Sequence, residues 1–154
     1  FKNKFHFFGG LNYNDGLSWL QTSEIISIDG SVEYGPELPE AIWMHAITSI
    51  NSTVSLLSGG WTDTTSRSPL TWYINHETNV FSAGPSLLQG RNRHGSATIV
   101  DKVTKAKIPI VTGGYNGGYM SSTELLINGE WQSGTIQFQK INHVLILFKS
   151  MTCS

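Results

Sequence analysis

Three histidines recur at even intervals along the chain, and histidine serves proteins both as a metal ligand and as a general base. His45, His94 and His143 follow one another at intervals of 49 residues. A metal site needs ligands that converge, and its usual signature is a close pair of ligands with a carboxylate or cysteine nearby. Such a group is absent from the sequence. The even interval favours equivalent positions in successive repeats, each with a structural hydrogen bond, so we expect no metal and no other cofactor.

Other groups capable of chemistry are sparse. Cys153 is the only cysteine, so the chain can form neither an internal disulfide nor a cysteine-based metal cluster. A serine nucleophile needs a sharp strand-to-helix turn, and no segment has the apolar periodicity of a helix. Glu37 and Glu40 flank Pro39 in a polar loop, where solvation accounts for them. We predict no catalytic site, and we predict that the chain is not an enzyme.

Aromatic and cationic side chains instead concentrate in polar loops, which is typical of binding surfaces. Loops carry function when a rigid scaffold presents them, and Tyr, Trp and Arg dominate binding hot spots. Arginine also forms charge-assisted hydrogen bonds with carboxylates. The residues expected to contact a partner are Tyr13, Trp61, Asp63, Arg67, Arg91, Arg93, Tyr115, Asn116 and Tyr119.

The elements that position these loops belong to a repeat. Three of these loops each follow a pair of glycines that closes a short apolar run, and the loop with Arg91 and Arg93 precedes His94. The spacings of 50 and 54 residues between the glycine pairs match a propeller blade. A bulky residue later precedes a glycine by three positions, and a histidine follows that glycine after 9 or 10 residues. The residues expected to maintain the repeat are Gly9, Gly10, Gly59, Gly60, Gly113, Gly114, Phe81, Trp131, His45, His94 and His143. The intervening segments are short and β-favouring, separated by turn signals such as Asn128-Gly129, so we predict an all-β chain.

The order of apolar run, glycine pair, polar loop, strand, bulky residue, Gly-Pro and histidine resembles the Kelch repeat. The nearest matches are Gly113–Trp131 and Asn75–Phe81, the second followed by Arg91 and His94. Val32 and Phe81 stand where the family usually carries tryptophan, and Ile42 stands where the next repeat has Arg91. The resemblance implies a β-propeller of antiparallel four-stranded blades, with the strand after the histidine innermost.

The repeat divides the chain into four expected segments. Residues 1–36 are a partial blade with strands two to four, 37–86 and 87–134 are complete blades, and 135–154 are a divergent tail with the first strand of a further blade. Propellers usually have about four to eight blades. We therefore expect an incomplete ring, a fragment of a longer protein whose other blades complete it.

Composition limits the partners. Charged residues make up 14 per cent of the chain, against a usual figure of about 25 per cent, and the net charge is −1. No basic stripe favours nucleic acid, and the longest apolar run is too short to span a membrane. A single cysteine favours the cytoplasm weakly, whereas the glycosylation sequon Asn51-Ser52-Thr53 favours an extracellular location, so the compartment stays open.

These observations predict a protein-binding scaffold or substrate-recognition module. Loop aromatics and arginines would contact a protein or peptide, acidic in character. Two alternatives stay open. One is a propeller enzyme, oxidase- or sialidase-like, whose active site lies in further blades, and the other is an extracellular adhesion module.

Overall fold

The computed structural model describes residues 4–14 and 16–134, and every regular element in these ranges is a β-strand. The strands are β1 (Lys4–Phe8), β2 (Leu11–Asn12), β3 (Ser18–Trp19), β4 (Ser23–Ser27), β5 (Val32–Tyr34), β6 (Ile42–Trp43), β7 (Ala46–Ser49), β8 (Val54–Ser58), β9 (Trp61–Thr62), β10 (Thr71–Asn75), β11 (Val80–Ala83), β12 (Gly95–Val100), β13 (Lys107–Thr112), β14 (Thr123–Ile127) and β15 (Glu130–Ser133). The all-β prediction is confirmed for these ranges. They include no helix of a length and apolarity suited to crossing a membrane.

The strands form three larger sheets and two short ribbons, and all of their pairings are antiparallel. The first sheet has the order β1-β4-β5, the second β7-β8-β10-β11, and the third β12-β13-β14-β15. The ribbons pair β2 with β3 and β6 with β9. Each larger sheet takes its strands from one stretch of chain, and the described residues close none of them into a ring.

Turn residues set the register of the hairpins. Asn128 and Gly129 both have positive φ, 53° and 83°, and they join β14 directly to β15. That conformation matches the right-handed twist of two antiparallel strands, which is why an Asn-Gly pair predicts a two-residue hairpin. The turn between β10 and β11 is fixed differently, because the Asn75 side chain accepts hydrogen bonds from the backbone of Glu77 and Thr78.

The core lies between consecutive sheets. Leu56 and Leu57 are neighbours in β8, so their side chains point to opposite faces of the second sheet, and both are fully buried. Leu57 belongs to a cluster shared with the first sheet, which comprises Phe8, Leu38, Ile42, Leu57 and Ile74. Leu56 belongs to a cluster shared with the third sheet, which comprises Leu56, Leu87, Val111, Leu126 and Trp131. Complete burial of each leucine contributes about 1.5–3 kcal/mol.

The glycine pairs hold the ends of the strands against the following repeat. The amide of Gly10 donates to the carbonyl of Ile42 at 2.9 Å, and that of Gly60 donates to the carbonyl of Arg91 at 2.8 Å. Gly59 has a φ of +58°, and a Cβ there would lie 2.4 Å from the Arg91 oxygen. Only glycine fits so close an approach in the left-handed region.

The first strands of the second and third sheets, β7 and β12, lie side by side. The hydroxyl of Thr98 donates to the backbone carbonyl of Ser49 at 2.7 Å, and it lies 3.3 Å from the hydroxyl of Thr48. The second and third sheets are therefore joined at their first strands as well as through the apolar cluster that contains Leu56.

Candidate binding surface

A cavity of about 320 Å³ lies where loops of the second and third sheets meet, and its lining residues are Trp61, Ser66, Arg67, Asn92, Arg93 and Tyr115. Four of these were predicted from the sequence to contact a partner, namely Trp61, Arg67, Arg93 and Tyr115. The structure thus brings together side chains that are separated by up to 54 residues along the chain.

The floor of the cavity is held by backbone bonds between two loops. Asn92 and Tyr115 exchange amide-to-carbonyl hydrogen bonds at 3.2 and 2.9 Å, and the Asn92 side chain donates to the carbonyl of Ser66 at 2.6 Å. The ring of Tyr115 stands edge-on to the ring of Tyr119, 5.9 Å away. The Arg67 guanidinium carbon lies 6.0 Å from the centre of the Tyr115 ring, at the outer range of a cation–π contact.

Another side of the cavity is held by the ribbon of β6 and β9 and by the chain that follows β6. Trp43 pairs with Trp61 across the ribbon, and their ring centres lie 6.3 Å apart. Arg93 has a φ of +54°, its amide donates to the carbonyl of Met44 at 2.9 Å, and its Nε donates to the Met44 sulfur. The guanidinium of Arg93 is thereby oriented while the side chain stays exposed.

The cavity has the electrostatics of an anion site. Its lining contains two arginines and no carboxylate, so a ligand carboxylate would find guanidinium donors on two sides. The same lining contains no histidine, acid or cysteine, and Ser66 therefore has no general base within it. The lining residues thus offer guanidinium donors and aromatic rings to a ligand.

Comparison with protein-family models gave no match, and none of the curated proteins matched the chain.

The other predicted contact residues lie around or away from the cavity. Tyr119 and Asn116 are exposed beside Tyr115, whereas Tyr13 is exposed on the first loop and does not line the cavity. Asp63 is also exposed and lines a separate, smaller cavity of about 220 Å³ with Glu40.

The expectation that Arg91 lies on the binding surface is wrong. Its side chain is 0 % exposed, it forms an ion pair with Glu124, and it donates to the carbonyls of Gly113 (2.9 Å) and Ser122 (3.2 Å). Burial lowers the pKa of the Arg91 guanidinium, and Glu124 opposes that shift. Arg91 is a structural link between its loop and the third sheet, because all of its donors face the interior.

Of the two repeat histidines that the structure describes, His94 makes the expected structural hydrogen bond, whereas the buried Nδ1 of His45 has no hydrogen-bond partner among the described residues. His94 is buried, its Nε2 lies 2.9 Å from the Ser58 hydroxyl, and burial lowers its pKa to about 3, with further lowering by Arg91 and His45. Burial likewise lowers the pKa of His45 to about 4. His143 lies outside the described residues. The glycines of the repeat lie at strand ends, Trp131 is buried, and Phe81 packs against the first cluster.

Two histidines that the sequence leaves without any assigned role lie together. The rings of His6 and His76 are 5.7 Å apart beside a cavity of about 310 Å³. Ser23 donates its hydroxyl proton to the carbonyl of Pro36, so the His6 Nε2, 3.1 Å away, must be the donor to the Ser23 oxygen. Burial lowers the pKa of His6 to about 4, and His76 contributes to that shift. The described residues offer no third histidine, cysteine or acid that could complete a metal site there.

Asn92 and Ser66 belong to the cavity and were not predicted. A single asparagine between Arg91 and Arg93 carries no chemical signature of its own. Its position in the repeat is the useful signal, because Asn92 directly follows Arg91, whose carbonyl accepts a hydrogen bond from the amide of Gly60.

Proposed function

We propose that the chain is part of a Kelch-type β-propeller that binds a protein or peptide partner, and that an acidic group of the partner occupies the cavity between Arg67 and Arg93. One observation carries the proposal: Trp61, Arg67, Arg93 and Tyr115 come from loops of two successive sheets and line one cavity. Equivalent loops that meet at one place are what a propeller needs to build a binding face from separate blades.

The propeller part of the proposal is supported by the repeated sheet plan. The second and third sheets run from a first strand that follows a histidine to a fourth strand that carries the bulky residue, and the first strands lie side by side. We propose that residues 37–86 and 87–134 are two blades, that residues 1–36 are three strands of another, and that further blades of the same protein complete the ring.

The binding part of the proposal follows from charge and shape. Two guanidinium groups near one opening leave a positive potential that a glutamate, an aspartate or a terminal carboxylate would neutralise. Trp61 and Tyr115 provide flat apolar walls, and the exposed ring of Tyr119 extends that surface outward for contact with the flanking residues of a peptide.

Binding is tested with fluorescein-labelled hexapeptide pools that are random except for one fixed position, which is Glu, Gln or Lys. Fluorescence polarisation should show preference for the fixed-Glu pool. Loss of one charge-assisted hydrogen bond costs about 1.5–3 kcal/mol, so Arg67→Ala or Arg93→Ala should weaken binding by about tenfold or more. Lys102→Ala, which removes an exposed cation elsewhere, is the matched control.

Equal binding of the Glu and Gln pools, or equal loss in the Lys102 variant, would show that the cavity does not select an acidic group. Raising the salt concentration should weaken binding of the Glu pool alone, since exposed charges are screened over about 10 Å at 0.1 M salt.

A further inference from the structure

The outer face of the first sheet exposes large apolar side chains around one acid. Phe5, Phe7, Val32 and Tyr34 are 64, 55, 60 and 86 % exposed, and Glu24 is exposed among them. Glu24 stands between Phe7 of β1 and Tyr34 of β5 in the register of the sheet. We name these five residues the first-sheet face. None of them lines the cavity between Arg67 and Arg93, so this face is separate from the proposed binding site.

The same positions are covered in the other two sheets. Leu57 and Val111 lie two residues before their glycine pairs, as Phe7 does, and they are 0 and 1 % exposed. Part of the cover comes from the neighbouring sheet, through Phe8 and Leu56, and part comes from the chain that precedes each sheet. Leu38 and Ile42 pack on the second sheet, and Leu87 packs on the third.

The loop that covers the second sheet differs from the loop that covers the third, and each loop residue that differs faces a sheet residue that differs as well. On the third sheet, Arg91 pairs with Glu124, and the amide of Leu88 donates to the same carboxylate at 2.7 Å. On the second sheet the position of Glu124 is taken by Trp72, which packs against the cluster that contains Ile42.

The residue that follows the covering leucine, Leu38 or Leu87, also differs between the two loops. Pro39 stands at the position of Leu88 and has no amide hydrogen to donate, so nothing is lost where Trp72 replaces a carboxylate. Three positions therefore change together and define two kinds of covering loop. In the apolar kind, proline and isoleucine in the loop face a tryptophan of the sheet. In the ionic kind, a residue with a backbone amide hydrogen and an arginine in the loop face a glutamate of the sheet.

We infer that the first-sheet face binds a loop of the ionic kind, in which a leucine is followed by a residue other than proline and, four positions after the leucine, by an arginine. Glu24 occupies the position of Glu124, since each directly follows the residue whose carbonyl accepts a hydrogen bond from the glycine after the last strand of its sheet. Phe7 and Val32 occupy the positions of Val111 and Trp131, which cover Leu87. The arginine pairs with Glu24, and the leucine lies on Phe7 and Val32.

A second copy of the same face is a poor alternative occupant. In a two-fold symmetric pair the same patch meets itself. Glu24 of both copies would then be buried in one apolar interface, and the five residues of that face supply no positive charge to pair with it. Burying unpaired carboxylates in this way would disfavour the dimer.

The probe for the inference is a fluorescein-labelled peptide that copies residues 84–93, with blocked termini, and a matched peptide with isoleucine in place of Arg91. The full chain should bind the arginine peptide, and backbone amide shifts should change at Phe7, Glu24 and Tyr34. Glu24→Gln should weaken that binding about fivefold or more while leaving the isoleucine peptide unaffected. Glu24→Trp should reverse the preference between the two peptides.

Several results would overturn the inference. The arginine peptide could fail to bind at millimolar concentration, or it could bind in a way that neither Glu24 variant changes. Amide shifts could also be confined to the third sheet, which would mean that the peptide displaces the native loop there. Reversible self-association that Phe7→Lys abolishes would assign the face to a second copy instead. Glu24 is exposed, so circular dichroism of both variants should match the parent chain and exclude misfolding.

Discussion

Replacing Arg91 with isoleucine should destabilise the chain more than any surface substitution, because the replacement leaves a buried carboxylate without its partner. Glu124 is 2 % exposed, and after the substitution only backbone amides of Leu88 and Gln89 would still donate to it. Breaking a buried ion pair from one side costs about 3–5 kcal/mol. A domain of ordinary stability has only about 5–15 kcal/mol in total.

Urea unfolding followed by tryptophan fluorescence measures this loss. With a slope of about 2 kcal/mol per molar urea, a loss of about 4 kcal/mol moves the midpoint down by about 2 M. The structure also supplies the compensating change. Adding Glu124→Trp copies the Ile42 and Trp72 arrangement of the second sheet. A third substitution, Leu88→Pro, would also remove the amide that Glu124 had bound, and it is left out of the first comparison.

The double variant Arg91→Ile/Glu124→Trp should recover at least about 2 kcal/mol relative to Arg91→Ile, and a cycle with the two single variants isolates the coupling between positions 91 and 124. A loss below about 1 kcal/mol in Arg91→Ile would contradict this prediction, because it would mean that water reaches Glu124. A double variant no more stable than Arg91→Ile would refute the equivalence of the two kinds of cover.

Three further substitutions test other contacts by the same urea assay. Gly59→Ala should cost about 2–4 kcal/mol, since a Cβ at a φ of +58° would meet the Arg91 carbonyl at 2.4 Å; an unchanged midpoint would mean that the loop yields freely. His94 is held neutral with a pKa of about 3, so the unfolded chain takes up its proton first and stability is lost as the pH falls below about 6.5, by up to about 1.4 kcal/mol per pH unit for each such histidine. His94→Gln should flatten that slope between pH 7 and pH 5, and equal slopes would contradict the assignment. Trp131→Phe should cost about 1–3 kcal/mol because the Pro85 carbonyl loses its 2.9 Å donor, whereas a cost near zero would mean that water replaces it.

The sequence predicts best what is decided by local backbone chemistry. Asn128-Gly129 predicts its hairpin because the turn type needs two residues of positive φ, and both residues adopt it. The strands follow from short β-favouring runs between such turns. The closed ring implied by the Kelch resemblance stays a prediction, because ring closure depends on contacts beyond the described residues.

The sequence fails where an assignment depends on a distant partner. Arg91 lies in a polar loop, where arginine is usually exposed. Its burial is explained by partners 22 to 33 residues away, namely Gly113, Ser122 and Glu124. His6 and His76 are 70 residues apart and carry no pattern that would bring them together. The cavity residues Trp61 and Tyr115 were predictable, because each directly follows a glycine pair that fixes where its loop begins.

A backbone hydrogen bond from the first glycine of each pair joins the two ends of the loop that follows, so the sheets do not depend on the length of that loop. The segments between the second glycine and the residue that opens the next paired strand, Ser23, Thr71 or Thr123, have 12, 10 and 8 residues. The hydrogen bonds at both ends of these segments nevertheless repeat with nearly the same lengths. Insertions and deletions in these segments should therefore be tolerated without disturbing the sheets, so that loops of different length and composition can follow the same strands.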